Sequence, residues 1–384
     1  MATDSTSASR GPARPSSSTS ELFGGIYARG AVAAEVCDAA WLRAMLDVEA
    51  ALARACVAEG LIAASAGDAI VAACRPEGFD IAALGVEGAQ SASPVVALAR
   101  ILRERAGEQA HHGATSQDIM DTAMMLVARR ALAPLLADAG AAADACARLA
   151  ETHRETPIMA RTLLAQALPT SFGLKAAVWM SAVDEARAGL AGVRERALAV
   201  QMGGPVGHRD PAIGAHVARD LGLTEPVLAW HVVRVRPAAL AAGLATLAGV
   251  LAKIARDVTL LAQDEVGEVR EGGEGRGASS AMAHKRNPVA AVSVLACAQR
   301  VPALAGTILG SMAHEHERAA GAWQAEWGTI TELLRLTGSA AAWARDLLEH
   351  LEVDADRMRL HAGESPDLGS SGKLIDRALA AHRP

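Results

Sequence analysis

The chain has 384 residues, 51% hydrophobic and 21% charged, which is ordinary globular composition with enough length to bury a large core. Its 37 Lys and Arg against 43 Asp and Glu give a formal net charge of −6, so no basic surface is expected on average and nucleic acid is set aside as a partner. The five cysteines are scattered without a Cys-x-x-Cys pair, which speaks for a reduced, cytoplasmic setting and against structural zinc, and no uninterrupted run of 18 strongly apolar residues suggests a membrane span.

Aromatic residues make up only 3% of the chain. A core built from Ala, Leu, Val and Met suits closely packed helices better than aromatic-rich strands, and the expected class is all-α. Residues 1–20 are rich in Ser, Thr, Ala and Pro without an apolar stretch and are predicted to be a disordered tail. From 21 to 110, apolar residues at helical spacing, such as Leu42, Leu46 and Leu52, form short runs. These are broken at Pro76-Glu77-Gly78 and Ser91-Ala92-Ser93-Pro94, as in a smaller N-terminal helical domain.

The segment His111-His112-Gly113-Ala114-Thr115-Ser116-Gln117-Asp118 precedes a long helical pattern. Helix capping alone accounts for Thr115 and Asp118 on residue type. Adjacent histidines point apart on a regular backbone, so His111 and His112 are no zinc pair.

Five long helical stretches follow, at roughly 120–152, 172–202, 235–265, 288–318 and 325–351, and define a central bundle over 111–352. The third is clearest, because Leu240, Leu244, Leu247, Leu251, Ile254, Val258 and Leu261 form a heptad seam. A helix of about 30 residues spans roughly 45 Å, and helices that long, apolar on more than one face, call for partners beyond their own chain. Pro134, Pro237 and Pro302 are expected at helix starts or kinks.

Between these helices lies Arg161-Thr162-Leu163-Leu164-Ala165-Gln166, a solvated loop by residue type. Farther on, Trp230-His231 precedes Arg234 and Arg236, and Glu315-His316-Glu317-Arg318 precedes Trp323-Gln324-Ala325-Glu326-Trp327. Trp323 and Trp327, one helical turn apart, are expected to serve packing and not ligand contact. After Leu351 the pattern thins, and 353–384 is a short C-terminal segment ending in a helical run from Leu374 to Ala381.

The stretch from Gly272 to Pro288 carries the most chemistry. Its glycines let the backbone bend, Ser279 and Ser280 follow, and Lys285, Arg286 and Asn287 precede a helix start whose N–H groups favour anions. It is no Walker loop, because Ala278 stands where the lysine belongs, and no Ser-x-x-Lys site, because Met282 and Ala283 fall three residues after the serines.

Ser279-Ser280-Ala281-Met282-Ala283-His284-Lys285-Arg286-Asn287-Pro288 resembles the signature loop of the fumarase/aspartase superfamily. Ala278 and Ala283 depart from it, standing where Gly and Pro are usual. The segments at 111–118 and 161–175 resemble the other two signatures. The resemblance implies an elongated five-helix bundle that builds a larger helical bundle in a homotetramer, with each site drawing on several subunits. It implies Ser279 as catalytic base, with Lys285, Asn287 and His111 in the catalytic set. It also implies a small di- or tricarboxylate substrate and no metal or organic cofactor. Substrate contacts would come from Thr115, Ser116, Gln117, Arg161, Thr162, Gln166, His231, Arg234, Ser280, Met282 and Arg286.

In the adenylosuccinate and argininosuccinate lyases of the superfamily a general-acid histidine stands where this chain has Leu163. The branch that lacks it, and that the 230–236 and 315–327 segments also resemble, is the 3-carboxy-cis,cis-muconate cycloisomerases. Two alternatives accompany that expectation: a lyase releasing a small group from a succinate-like substrate, and a helical scaffold without activity.

Overall fold

The computed structural model describes residues 21–273, 276–282, 284–363 and 366–382. The predicted tail 1–20, together with Glu274, Gly275, Ala283, Glu364 and Ser365, lies outside the described residues. The fold is mainly helical. Six helices come first: α1 Glu21–Tyr27, α2 Val32–Glu35, α3 Asp38–Ala58, α4 Ala64–Ala73, α5 Ile81–Ser91 and α6 Pro94–Ala106. Then come α7 Ser116–Thr152, the hairpin β1 Pro157–Thr162 and β2 Ala165–Ser171, α8 Phe172–Arg196 and α9 Pro211–Leu221. The second half holds α10 Val235–Leu261, β3 Val269–Glu271, α11 Val289–Gly310, α12 Ala322–Glu349, β4 Leu351–Val353, α13 Ala355–Ala362 and α14 Ser371–Ala381.

Helices α7, α8, α10, α11 and α12 pack side by side as the expected bundle. Every residue of the predicted α10 seam is buried, and the buried residues of α3 to α6 join those of the bundle in one continuous core. Pro237 lies in the first turn of α10 as expected, whereas Pro134 and Pro302 lie inside α7 and α11. Four helices end earlier than their predicted stretches, α8 at Arg196 and α11 at Gly310 by the most, α10 at Leu261 and α12 at Glu349 by less.

The membrane expectation needs correcting. By length and composition α10 and α11 are each apolar enough to cross a bilayer, because Ala, Gly and Leu dilute their few charges over many turns. In the fold, 50% of the most apolar window of α10 and 44% of that of α11 is buried inside the bundle.

Two buried ionic clusters fix the ends of the bundle. At one end, where α7, α10 and α12 begin, the fully enclosed Arg234 donates to both carboxylate oxygens of Asp121, at 2.7 and 3.0 Å. It also donates through Nε to Glu326 Oε1 at 2.9 Å and through a second nitrogen to Glu326 Oε2. Trp323 Nε1 adds a bond to Asp121 Oδ1 at 3.0 Å. Burial works against the Arg234 charge, but the two carboxylates more than offset it and hold its pKa above the usual range.

At the other end, where α7, α10 and α12 stop, the fully buried Glu268 accepts from both terminal nitrogens of Arg161 at 2.9 Å each and lies 2.7 Å from His361 Nδ1. This ties the β1–β2 hairpin, the end of α10 and α13 into one joint. The strand pair β3–β4 lies beside it and leads into the Gly-rich stretch.

Removing one partner of a buried ion cluster strands the others in a medium that cannot solvate them. Arg234→Ala is therefore expected to cost about 3–5 kcal/mol, read as a lower urea midpoint. Arg234→Lys should restore little of it, because one ammonium cannot serve two carboxylates bidentately.

Candidate active site

The first signature sits at the start of α7. Thr115 and Ser116 are half-buried there, at the positive end of a 37-residue helix, where unpaired N–H groups favour an anion. Asp118 organises the turn beneath them. Its Oδ2 accepts from Thr115 N at 3.1 Å and Gly204 N at 2.8 Å, and its Oδ1 from Gln201 Nε2 at 3.1 Å and Gly203 N at 2.9 Å. His231 Nε2 lies 2.9 Å from the same Oδ1. Gly203 has no room for a side chain, since a Cβ would come within 2.9 Å of the His231 ring. His111 takes a left-handed backbone, φ +60°, and places Nδ1 2.6 Å from the buried Glu49.

Several residues expected to meet substrate are instead committed within the protein. Arg234 is enclosed by Asp121 and Glu326, and Gln117 is buried, donating to Asp121 and to the His231 carbonyl. His231 is paired with Asp118, and both terminal nitrogens of Arg161 are held by Glu268. All four side chains thus have protein partners within the chain, Arg234 and Gln117 in fully buried surroundings. The structure also ties down His111, placed in the catalytic set, through Glu49.

The second signature is the β1–β2 hairpin. Thr162 pairs with Ala165 across a two-residue turn, Leu163–Leu164. Thr162 and Gln166 are exposed beside it. Both leucines have positive φ, +51° and +69°, which costs of order 1–3 kcal/mol for each such residue.

The third signature is a loop pinched at its neck. Asn287 donates to Gly277 O through its backbone N at 2.9 Å and its side-chain Nδ2 at 3.1 Å, and Ala278 pairs with Arg286. Gly277, φ +70°, is required, because a Cβ would collide with the Asn287 backbone. Beyond the neck, Ser279 Oγ accepts from Ala281 N at 3.3 Å and Met282 N at 3.2 Å. Two N–H dipoles aimed at that oxygen stabilise it as it gains negative charge. Ser280, Met282, Lys285 and Arg286 are exposed on the same loop.

The predicted anion site at the start of α11 is already filled. The Glu271 carboxylate accepts from Ala290 N at 2.9 Å and Ala291 N at 2.8 Å. Asn287 likewise holds the loop neck.

The three signatures do not meet within one chain. The first lies where α12 begins, and the other two lie where it ends. The 28 residues of α12 set these ends roughly 40 Å apart at ~1.5 Å per residue.

Sequence reasoning missed Asp121, Glu268, Glu271 and His314. The Asp121 and Glu268 partnerships depend on the fold and left no local pattern. Glu271 left a weak signal as an acid just ahead of the glycines. His314 has a fully enclosed ring 3.6 Å from Glu326 Oε1, and neither ring nitrogen has a hydrogen-bond partner.

A family model described as Lyase matches residues 18–303. The chain is 45% identical to a nitrosuccinate lyase of Streptomyces davaonensis, over 94% of this chain and 80% of that protein. It is 43% identical to a 3-carboxy-cis,cis-muconate cycloisomerase of Bradyrhizobium diazoefficiens, over 90% of this chain and 79% of that protein. Among solved structures, the 3-carboxy-cis,cis-muconate lactonizing enzyme from Pseudomonas putida superposes with a TM-score of 0.84 at 36% identity, covering 94% of this chain and 88% of that one.

His314 makes stability pH-dependent. Burial, and then the Arg234 charge, push its pKa below the ordinary histidine value. The unfolded chain therefore binds a proton there more readily than the fold does, and stability is lost as pH falls through about 6.5. His314→Gln, which carries no charge at any pH, should lose less of its urea midpoint than wild type between pH 7.5 and 5.5. His153, also lowered by burial, is common to both proteins, so equal losses would remove His314 as the cause.

Proposed function

The chain belongs to the lyase family of the fumarase/aspartase superfamily, and on that footing we propose that it is a 3-carboxy-cis,cis-muconate cycloisomerase working without metal or organic cofactor. The observation that carries this reading is Leu163. An apolar side chain stands at the turn where the amine-releasing lyases present their acid, in a chain similar to cycloisomerases over 90% of its length. The reaction is intramolecular. One carboxylate oxygen adds to the diene carbon β to another carboxylate, negative charge passes into that second carboxylate as an enediolate, and a proton reaches the α carbon to give 4-carboxymuconolactone. Such a step serves protocatechuate breakdown.

Each requirement has a residue. Ser279 delivers the proton, and its conjugate alkoxide is stabilised by the N–H groups of Ala281 and Met282, with Lys285 nearby on the loop. The enediolate needs fixed donors, each worth about 3 kcal/mol by the oxyanion-hole precedent. Thr115, Ser116 and the start of α7 supply them. Because Ser279 and Thr115 sit at opposite ends of one chain, the site is assembled from antiparallel copies, and the working form is a homotetramer.

A second reading keeps the same residues. The 45% identical relative is a nitrosuccinate lyase, and in an elimination of that kind Ser279 would take the proton while a small anion leaves the neighbouring carbon of a succinate.

Purified protein mixed with 3-carboxymuconate is expected to remove the diene absorbance. Fumarate released from nitrosuccinate, with no diene loss, would instead establish the second reading, and inertness toward both would leave a scaffold. Ser279→Ala should lower kcat/KM on the active substrate by about 10²–10⁴-fold with little change in urea midpoint. Light scattering should give four times the 39.4 kDa chain mass, and a monomer that turns over substrate would end the shared-site reading.

A further inference from the structure

His111 is held by one ring nitrogen and left open at the other. Its Nδ1 lies 2.6 Å from Oε1 of Glu49, an acid of α3 whose side chain is fully enclosed. An ionised carboxylate only accepts hydrogen bonds, so Nδ1 carries the hydrogen and the tautomer is fixed. Among the described residues nothing bonds to Nε2, and that atom is not sealed inside the fold. Because Nδ1 faces inward to α3, Nε2 faces outward, on the surface that carries the half-buried Thr115 and Ser116.

As a device for stability this arrangement is poor. Oε2 of Glu49 is enclosed without a hydrogen-bond partner, and a buried carboxylate with an unpaired oxygen stabilises a fold less than an apolar side chain of similar volume. His111 also takes φ +60°, a left-handed backbone that residues with a Cβ rarely adopt. The turn is nevertheless gripped closely. Ala114 N donates to His111 O at 3.4 Å, and the Arg209 guanidinium packs under Gly113, where a Cβ would stand 3.3 Å from its Nη1. Arg209 in turn donates to Cys56 Sγ of α3 at 3.3 Å. An unpaired buried oxygen and a strained backbone converge on one ring, which indicates that the placement of the ring is what they serve.

We propose that Glu49 is a positioning residue for His111: it holds the ring with Nδ1–H inward, so that Nε2–H donates to a carboxylate oxygen of the substrate lying over Thr115 and Ser116. The inference rests on the reading that this surface receives a carboxylate substrate. A carboxylate at Nε2 requires the protonated ring, and the Glu49 charge behind it balances the imidazolium, so the pair adds no net charge to the interior. Glu49 does not touch substrate and acts through His111 alone.

A double-mutant cycle tests the pairing. Glu49→Leu should lower kcat/KM on the active substrate about tenfold with an unchanged or higher urea midpoint. Glu49→Gln, whose amide oxygen still accepts from Nδ1–H but carries no charge, should recover part of that loss. In a His111→Ala background, neither change at Glu49 should lower kcat/KM further. A merely structural role gives the opposite pattern, in which activity follows the urea midpoint and the losses at the two positions multiply. Multiplying losses, or wild-type kcat/KM in Glu49→Leu, would overturn the proposal. Should Glu49→Leu not fold, Glu49→Gln carries the same cycle.

Succinate binding, followed by calorimetry, separates the pairing from the activity. A protein inert toward both carboxylates, whose succinate affinity falls about tenfold in either single variant and no further in the double variant, upholds the pairing and removes the activity reading. An active enzyme with multiplying losses does the reverse. Inertness without succinate binding would remove both.

Discussion

Side chains reach a few ångströms, whereas the helices of this bundle carry their ends tens of ångströms apart. The 37 residues of α7 alone measure roughly 55 Å at ~1.5 Å per residue. Which end a residue occupies therefore decides what it can touch. The Thr115 turn, with His231 and Arg234 behind it, occupies one end. The hairpin and the Ser279 loop occupy the other, linked through Glu268, β3 and β4. Chemistry that needs both ends has to cross between chains, and the same helix length that separates the motifs supplies the long lateral surface on which chains can align. In α10 and α11, half or less of the most apolar window is buried within the chain.

The two ends are also built differently. At the Thr115 end most of the buried polar groups are interlocked: Asp118 receives bonds from four different residues besides the His231 contact, and Arg234 spends its donors on two carboxylates, with the His314 ring and Gln117 Oε1 left without partners. Such a network is stiff, because moving any member leaves another unsatisfied in a low-dielectric interior. At the other end the loop is fixed at its neck, by Asn287 on Gly277, by Arg276 on Asp346 of α12 and by Glu271 on the first turn of α11, while Ser280 and residues 284–286 are exposed. If Ser279 is the base, a stiff cradle at one end and an exposed loop at the other would suit a site that closes over substrate and opens for product.

The bundle was legible because burial imposes its period directly on the sequence. The α10 seam is visible as seven apolar residues spaced for one helix face, and all are buried. Helix ends were less legible. The stretch after Gly310 was expected to remain helical, yet its Glu-His-Glu-Arg run has no apolar period to hold it on the bundle, and the helix stops. The signature positions were legible through resemblance, but their employment was not. Arg161 and Arg234 look like ligand arginines until their partners are known, and those partners lie 107 and 92 residues away in the chain. No local spacing encodes such a pairing. Thr115 and Asp118 have the residue types of a cap, and they do form one. What local reasoning could not supply was that the capping carboxylate also gathers the loop at Gly203 and Gly204.

The capture of both arginines bears on how a polyanionic substrate is held. A guanidinium neutralised by a buried carboxylate adds little net field to a ligand, so the burden shifts to groups without net charge: the start of α7, the hydroxyls of Thr115 and Ser116, and the loop amides around Ser279. Dipoles of this kind are fixed before substrate arrives and need no counter-charge of their own in the interior. A full cation in the same place would also favour the enediolate, which carries more negative charge than the carboxylate it comes from, but it would bring a charge that the interior has to solvate or pair. Oriented N–H groups respond to where the charge lies, and can be aimed at the oxygens that gain it as the bond forms. On the proposed reading, loop closure would add the Lys285 charge to stabilisation that the backbone amides already offer.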